Sequence, residues 1–152
     1  MDEVKFLRDQ IKTTFQGKSW HGPNLEKTLE GIDYKQAMER KIGERHTIWE
    51  ITDHMTFWME AVWRSVENHA ALNPEKKNDW PEMGATEVEW KESVGRLEAS
   101  MNLTLDTLAD WTEEDLQETV PGTKYTFYQM LHGVIHHNLY HAGQINILKN
   151  KV

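Results

Sequence analysis

The chain has 152 residues, 38% of them hydrophobic and 28% charged, a composition that fits one globular domain over residues 1–152. Lysine and arginine total 17 against 25 aspartates and glutamates, a formal charge of −8 with no basic run, which argues against nucleic acid or an anionic membrane surface as partner. Cysteine is absent, so there is neither a disulfide framework nor a thiolate metal site, and any bound metal must rely on imidazole, carboxylate and water.

The N-terminal stretch Met1-Asp2-Glu3-Val4-Lys5 lacks the basic and apolar regions of a signal peptide. No apolar run approaches the ~20 residues of a membrane span. The expectation is a cytoplasmic protein. Seven tryptophans against four phenylalanines place large amphipathic rings at core edges or pocket walls, because the indole N–H needs a partner.

Four segments read at helical period. The first spans Asp2 to Phe15, with Val4, Leu7, Ile11 and Phe15 as one apolar stripe. After breaks at Gly17, Gly22 and Pro23, the connection His21–Gly43 is too long for a bundle turn. It is expected to hold short helices around Asn24–Leu29 and Asp33–Glu39. The second long helix is expected from Glu44 to His69, carrying Ile48, Ile51, Met55, Trp58, Met59, Val62 and Val66. A break at Asn73–Gly84 follows, long enough to shape a pocket mouth, with the charge-rich Pro74–Glu82 read as a solvated loop.

The third helix is expected from Thr86 to Leu108. It opens on a Thr86-x-x-Glu89 capping box and carries Val88, Val94, Leu97, Met101, Leu105 and Leu108. A loop Ala109–Lys124 with Trp111 and Pro121-Gly122 leads to the fourth helix, Thr126 to Lys149, with Phe127, Leu131, Val134, Ile135, Ala142, Ile145 and Leu148. No segment alternates at period two. The fold class is therefore all-α, a four-helix bundle whose long crossover between helices 1 and 2 breaks the simple up-down order.

Helical phase sorts the eight histidines. At about 100° per residue from Val134, Phe127, Leu131, Ala142, Ile145 and Leu148 fall within roughly 80°, His141 at about 20° and His137 at about 60°. His132 and His136 fall at about 160°, on the solvent side. In the second helix, measured from Ile51, Met55, Trp58 and Val62 fall within about 40° and His54 at about 60°, while His46 lies on the opposite side. His69 has suitable phase but stands about 22 Å along the axis from His54, too far to share its ion.

Residues at i and i+4 share a helix face, so His137 and His141 can offer two imidazoles to one ion. His54 can supply a third if the two helices pack side by side. Position 138 is Asn, where the metalloprotease motif requires Glu, so that assignment fails. Histidines packed at the core edge without metal satisfy the same phase, and Trp49 and Trp58 fit either a pocket wall or plain packing.

The string His137-Asn138-Leu139-Tyr140-His141-Ala142-Gly143-Gln144-Ile145 resembles the H-x-x-x-H-x-G-Q-[IL] signature of the DinB/YfiT-like superfamily. Ile48-Trp49-Glu50-Ile51-Thr52-Asp53-His54-Met55-Thr56-Phe57-Trp58 is similar to the family's second-helix signature, and Trp20–Gly31 to its inter-helix connection. The resemblance implies a four-helix bundle of unusual connectivity, often a homodimer. It also implies a Zn²⁺ or Ni²⁺ site on three histidines, which map to His54, His137 and His141.

Activities in the family, as the resemblance implies them, include metal-dependent transferases using low-molecular-weight thiols such as bacillithiol or mycothiol, and a thiol-dependent isomerase. The leading expectation is a metal-dependent thiol S-transferase whose partners are a small thiol and a small electrophile. Gln144 orients a ligand or bound water, or else packs between helices. The rivals are a metal-dependent hydrolase, for which no carboxylate base stands out beside the histidines, and a non-catalytic stress-response protein that binds metal or a small ligand.

Overall fold

A computed structural model describes residues 2–72 and 78–150. Four long helices are set by the apolar stripes: α1 (Glu3–Phe15), α4 (Ile48–Asn68), α5 (Glu87–Thr107) and α7 (Phe127–Asn150). Three short ones lie between them: α2 (Leu25–Leu29) and α3 (Tyr34–Met38) in the α1–α4 connection, and α6 (Glu113–Gln117) before α7. Among the described residues there is no strand beyond a single Thr119–Thr126 bridge. None of the helices is long and apolar enough to cross a membrane.

Side-chain caps explain where the helices begin. Asp2, Asn24, Asp33, Thr47 and Thr112 each accept an N–H of the first turn, at α1, α2, α3, α4 and α6 respectively. Thr47 and Glu50 form a reciprocal capping box, so α4 starts at Ile48, four residues later than the Glu44 start expected from periodicity. At α5, Thr86 accepts from the Glu89 N–H, while the Glu89 carboxylate takes the Ala85 N–H and the Thr86 hydroxyl. That shared network holds the Glu89 carboxyl below the usual carboxylate range, the Thr86 hydroxyl contributing most.

The long helices form a bundle in which α1 packs on α5 and α7, and α4 packs on the same two. Helices α1 and α4 therefore face each other across the diagonal, as the long crossover between them requires. This order makes α4 and α7 direct neighbours. The core runs through Leu7, Leu97, Met55, Leu131 and Ile145, each nearly inaccessible. Trp49 is buried there too. In α5 the expected stripe is displaced at its start: Val88 is 66% exposed, and Trp90 is buried in its stead, donating its indole N–H to the Ile32 carbonyl.

Helix α4 is locked about its axis from the α5 side. The Asp53 carboxylate, 3% exposed, accepts a hydrogen bond from Ser93 Oγ and lies 3.1 Å from Arg96. Burial lifts its pKa, against the lowering effect of those donors. The segment entering α5 presses on the same region at Gly84, where an added Cβ would sit 2.8 Å from Glu89 Cβ and 2.9 Å from the Trp49 ring. Gly84→Ala is expected to cost about 1–3 kcal/mol by overpacking. Gly95→Ala, mid-helix in open space, should stabilise by about 0.5–1 kcal/mol. Urea midpoints of the two variants test the opposite signs.

Candidate metal centre

Neighbouring α4 and α7 bring His54, His137 and His141 to one depth. Their ligand-capable nitrogens lie within 4.8 Å of one another. His137 Nε2 stands 3.1 Å from His54 Nε2 and 3.1 Å from His141 Nε2. His54 and His141 are each 6% exposed, and His137 is half-buried. All three positions singled out by helical phase thus meet at one point.

The distal nitrogens fix two tautomers. His54 Nδ1 faces two acceptors of Asp79, the backbone carbonyl at 2.8 Å and the carboxylate Oδ1 at 3.0 Å. His141 Nδ1 is 2.7 Å from Gln144 Oε1. Both Nδ1 atoms therefore carry the proton, and both Nε2 atoms present lone pairs to the centre. His137 can donate one N–H to only one of them, and its own buried Nδ1 has no hydrogen-bond partner. Two converging lone pairs with at most one proton between them fit a cation better than any protein donor set. A tetrahedral ion at ~2.05 Å from each nitrogen would separate them by ~3.3 Å, close to the spacing here.

The proton is disfavoured as that cation. Burial, then the neighbouring His141 and His54, push the His137 pKa down to about 4. Burial also lowers that of His141, against the Gln144 hydrogen bond. Both rings are thus neutral at pH 7, as a metal ligand must be.

The loop before α5 completes the centre. Asp79 Oδ1 also accepts the Trp58 indole N–H at 2.6 Å. Trp80 stacks between two imidazoles, 4.0 Å from His54 and 3.5 Å from His46 between centroids. The solvated-loop reading of Pro74–Glu82 is corrected for Asp79 and Trp80; positions 74–77 lie outside the described residues. His46 is likewise corrected. It precedes the Thr47 cap, so helical phase does not apply to it, and it turns toward the centre instead of the opposite side. His136 is exposed as expected, but His132 is half-buried against Tyr128. Trp58 lines the cavity at His137, and Trp49, buried in the core, also borders a separate cavity with Asp53 and Arg96.

A second group, His69 with Asp115 and Glu118, could also hold an ion but is largely exposed. His69 caps α4 in the left-handed conformation, φ +44°, and stacks on Trp111. That geometry accounts for its place without a ligand.

The fold and centre define a four-helix bundle with a three-imidazole site between its second and fourth long helices. The family model of the DinB superfamily matches residues 19–145, and the chain belongs to that superfamily. No curated protein and no solved structure matches it.

Two outcomes test the centre. Gln144→Ala should weaken divalent-metal affinity about 10–100-fold, measured by competition with a chromophoric chelator, because the acceptor orienting His141 is lost, and Asp79→Ala should weaken it less, because the backbone carbonyl at position 79 still holds His54 Nδ1. In metal-free protein the folded His137 binds its proton only near pH 4, the unfolded one near 6.5. The unfolded state thus holds more protons between those values, and stability falls as pH drops through that window. Urea midpoints at pH 4–7 should show this slope, and His137→Ala should flatten it.

Proposed function

We propose that this protein is a metal-dependent thiol S-transferase, with His54, His137 and His141 holding a divalent transition ion, Zn²⁺ or Ni²⁺. The observation that carries this reading is the convergence of three imidazole Nε2 atoms, with the Nδ1 atoms of His54 and His141 each held on an acceptor. Bound there, such an ion keeps positions open and, with no ligand charge to offset its own, lowers the pKa of a thiol reaching it.

The chain has no cysteine, so the sulfur must arrive with a cosubstrate. In the step proposed, the thiol gives its proton to solvent and its sulfur electron pair forms a C–S bond. The electrophile's carbon–leaving-group bond breaks: a halide departs with its electrons, or an epoxide C–O bond opens and its oxygen takes a proton. Asp79 and Gln144 hold their histidines in the ligating tautomer throughout. Trp80 covers His54 and limits water at that side.

Hydrolysis is favoured less, because it needs a free base beside the attacking water. The Asp79 carboxylate, which lies against His54, is already engaged by His54 Nδ1 and Trp58 Nε1.

The test is a conjugation assay on Zn²⁺- and Ni²⁺-loaded protein, with monochlorobimane or an epoxide and a panel of small thiols. Turnover is expected with metal and lost by at least 100-fold in His137→Ala, together with its metal content. Absence of turnover with every thiol, in protein shown to be metal-loaded, would overturn the transferase and leave a binding protein.

A further inference from the structure

Two cavities of about 520 Å³ each open beside the histidines, and their linings differ in kind. The first reaches His137 and is walled by Trp58, Val62, Leu72, Met130 and Val134, with no ionisable side chain among the described residues but Tyr125 and His137 itself. The second reaches His141 and is lined by Arg45, His46, Tyr140 and Gln144 among apolar residues. Among the described residues no carboxylate lines it, in a chain with eight more acidic than basic residues.

Two polar groups of the second cavity, Arg45 and Gln144, carry donors that the fold leaves unused among the described residues, while His46 lies 3.6 Å from the Glu50 carboxylate. Arg45 makes no side-chain hydrogen bond or ion pair among the described residues; its carbonyl, not its guanidinium, meets Arg40. Gln144 uses Oε1 on His141 Nδ1, which leaves its amide NH₂ unengaged among those residues. An unpaired guanidinium with a spare amide donor matches a carboxylate, which accepts two parallel N–H bonds. The first cavity offers area for an apolar group and little to hold a charge.

We propose that the two cavities divide the reactants: the Arg45–Gln144 cavity seats a carboxylate carried by the thiol, and the Trp58–Leu72 cavity seats an apolar electrophile. This rests on the thiol-transfer reading and adds to it the substrate class. The thiol is an anionic one, anchored at the His141 side. The electrophile enters from the His137 side, so sulfur and carbon meet over the three histidines. Arg45 is a specificity determinant in this scheme and takes no part in the bond changes.

Binding tests it without turnover. Metal-loaded protein is titrated with 3-mercaptopropionate and with its neutral amide, followed by calorimetry, and with unreactive methyl-substituted bimane, followed by its fluorescence. The acid should bind about tenfold or more tighter than the amide. Arg45→Met should erase that preference at unchanged metal content, and Arg45→Lys should keep part of it. Leu72→Trp should weaken the bimane at least tenfold and leave the acid's advantage intact.

Equal binding of acid and amide by wild type, or a preference that survives Arg45→Met, overturns the division even if conjugation proceeds. Conversely, an Arg45-dependent preference without any conjugation upholds the carboxylate site and sinks the transfer reaction alone. Loss of the acid's advantage in Leu72→Trp would show one shared cavity and overturn the proposal.

Discussion

Everything at the centre of this molecule depends on holding the imidazole nitrogens of His54 and His141 each a hydrogen bond's length from that of His137, with too few protons among the three. Left alone, such a group would turn its rings away toward water, since converging lone pairs repel and a buried polar atom without a partner is costly. Two of the rings are fastened at their distal nitrogens, His54 to Asp79 and His141 to Gln144, while His137 is half-buried with its distal nitrogen unpaired. A cation removes the repulsion that the fold maintains. Metal affinity and native stability are thus coupled through the same contacts.

The bundle serves that constraint through its connectivity. Two of the ligands come from one helix face and need only the i, i+4 spacing. The third requires α4 beside α7 in correct rotation. The long crossover sets the first requirement by sending α4 across the diagonal from α1. The second is met from the far side. Asp53 and His54 are adjacent in sequence and about 100° apart on the helix; Asp53 is held by Ser93 and Arg96 of α5, and His54 is thereby turned to α7. A buried carboxylate is a poor source of net stability. As a rotational lock for a neighbouring ligand, it has a use that greasy packing along the same stripe would not supply.

This division of labour explains what the sequence disclosed. Helix periodicity located the four long helices and placed His54, His137 and His141 on inward faces, because ligands on helices inherit the helix's phase. Family resemblance then supplied the expectation of a metal and of thiol chemistry, which phase alone does not contain. His46 was misplaced for a local reason: Thr47 caps α4, so counting backward from Ile51 runs past the helix's end. Val88 was given to the core because valine fits an apolar stripe, while the larger Trp90 took the buried position with a hydrogen bond to the Ile32 carbonyl. Asp79 and Trp80 left no trace in periodicity. They stand in a charge-rich stretch with no helical phase, and their value comes from contact with α4, 25 residues away in sequence from His54 to Asp79.

The loop therefore carries more of the site's character than its composition suggests. Helices fix where the nitrogens are; the loop decides which nitrogen of His54 is protonated and which side of the centre is covered. Trp80, between His46 and His54, separates the outer imidazole from the ligating one and forms part of the wall of the Arg45 cavity. On the other side Trp58, tied to Asp79, walls the apolar cavity. One aspartate thus sets a ligand's tautomer and fastens a wall of the apolar cavity, while the next residue borders the polar one. A substitution in this loop would change the cover over the three histidines and the wall of the Arg45 cavity together. Related chains with the same three histidines could diverge in substrate mainly by changing what lies across them here, while the helical ligands remain fixed by the bundle.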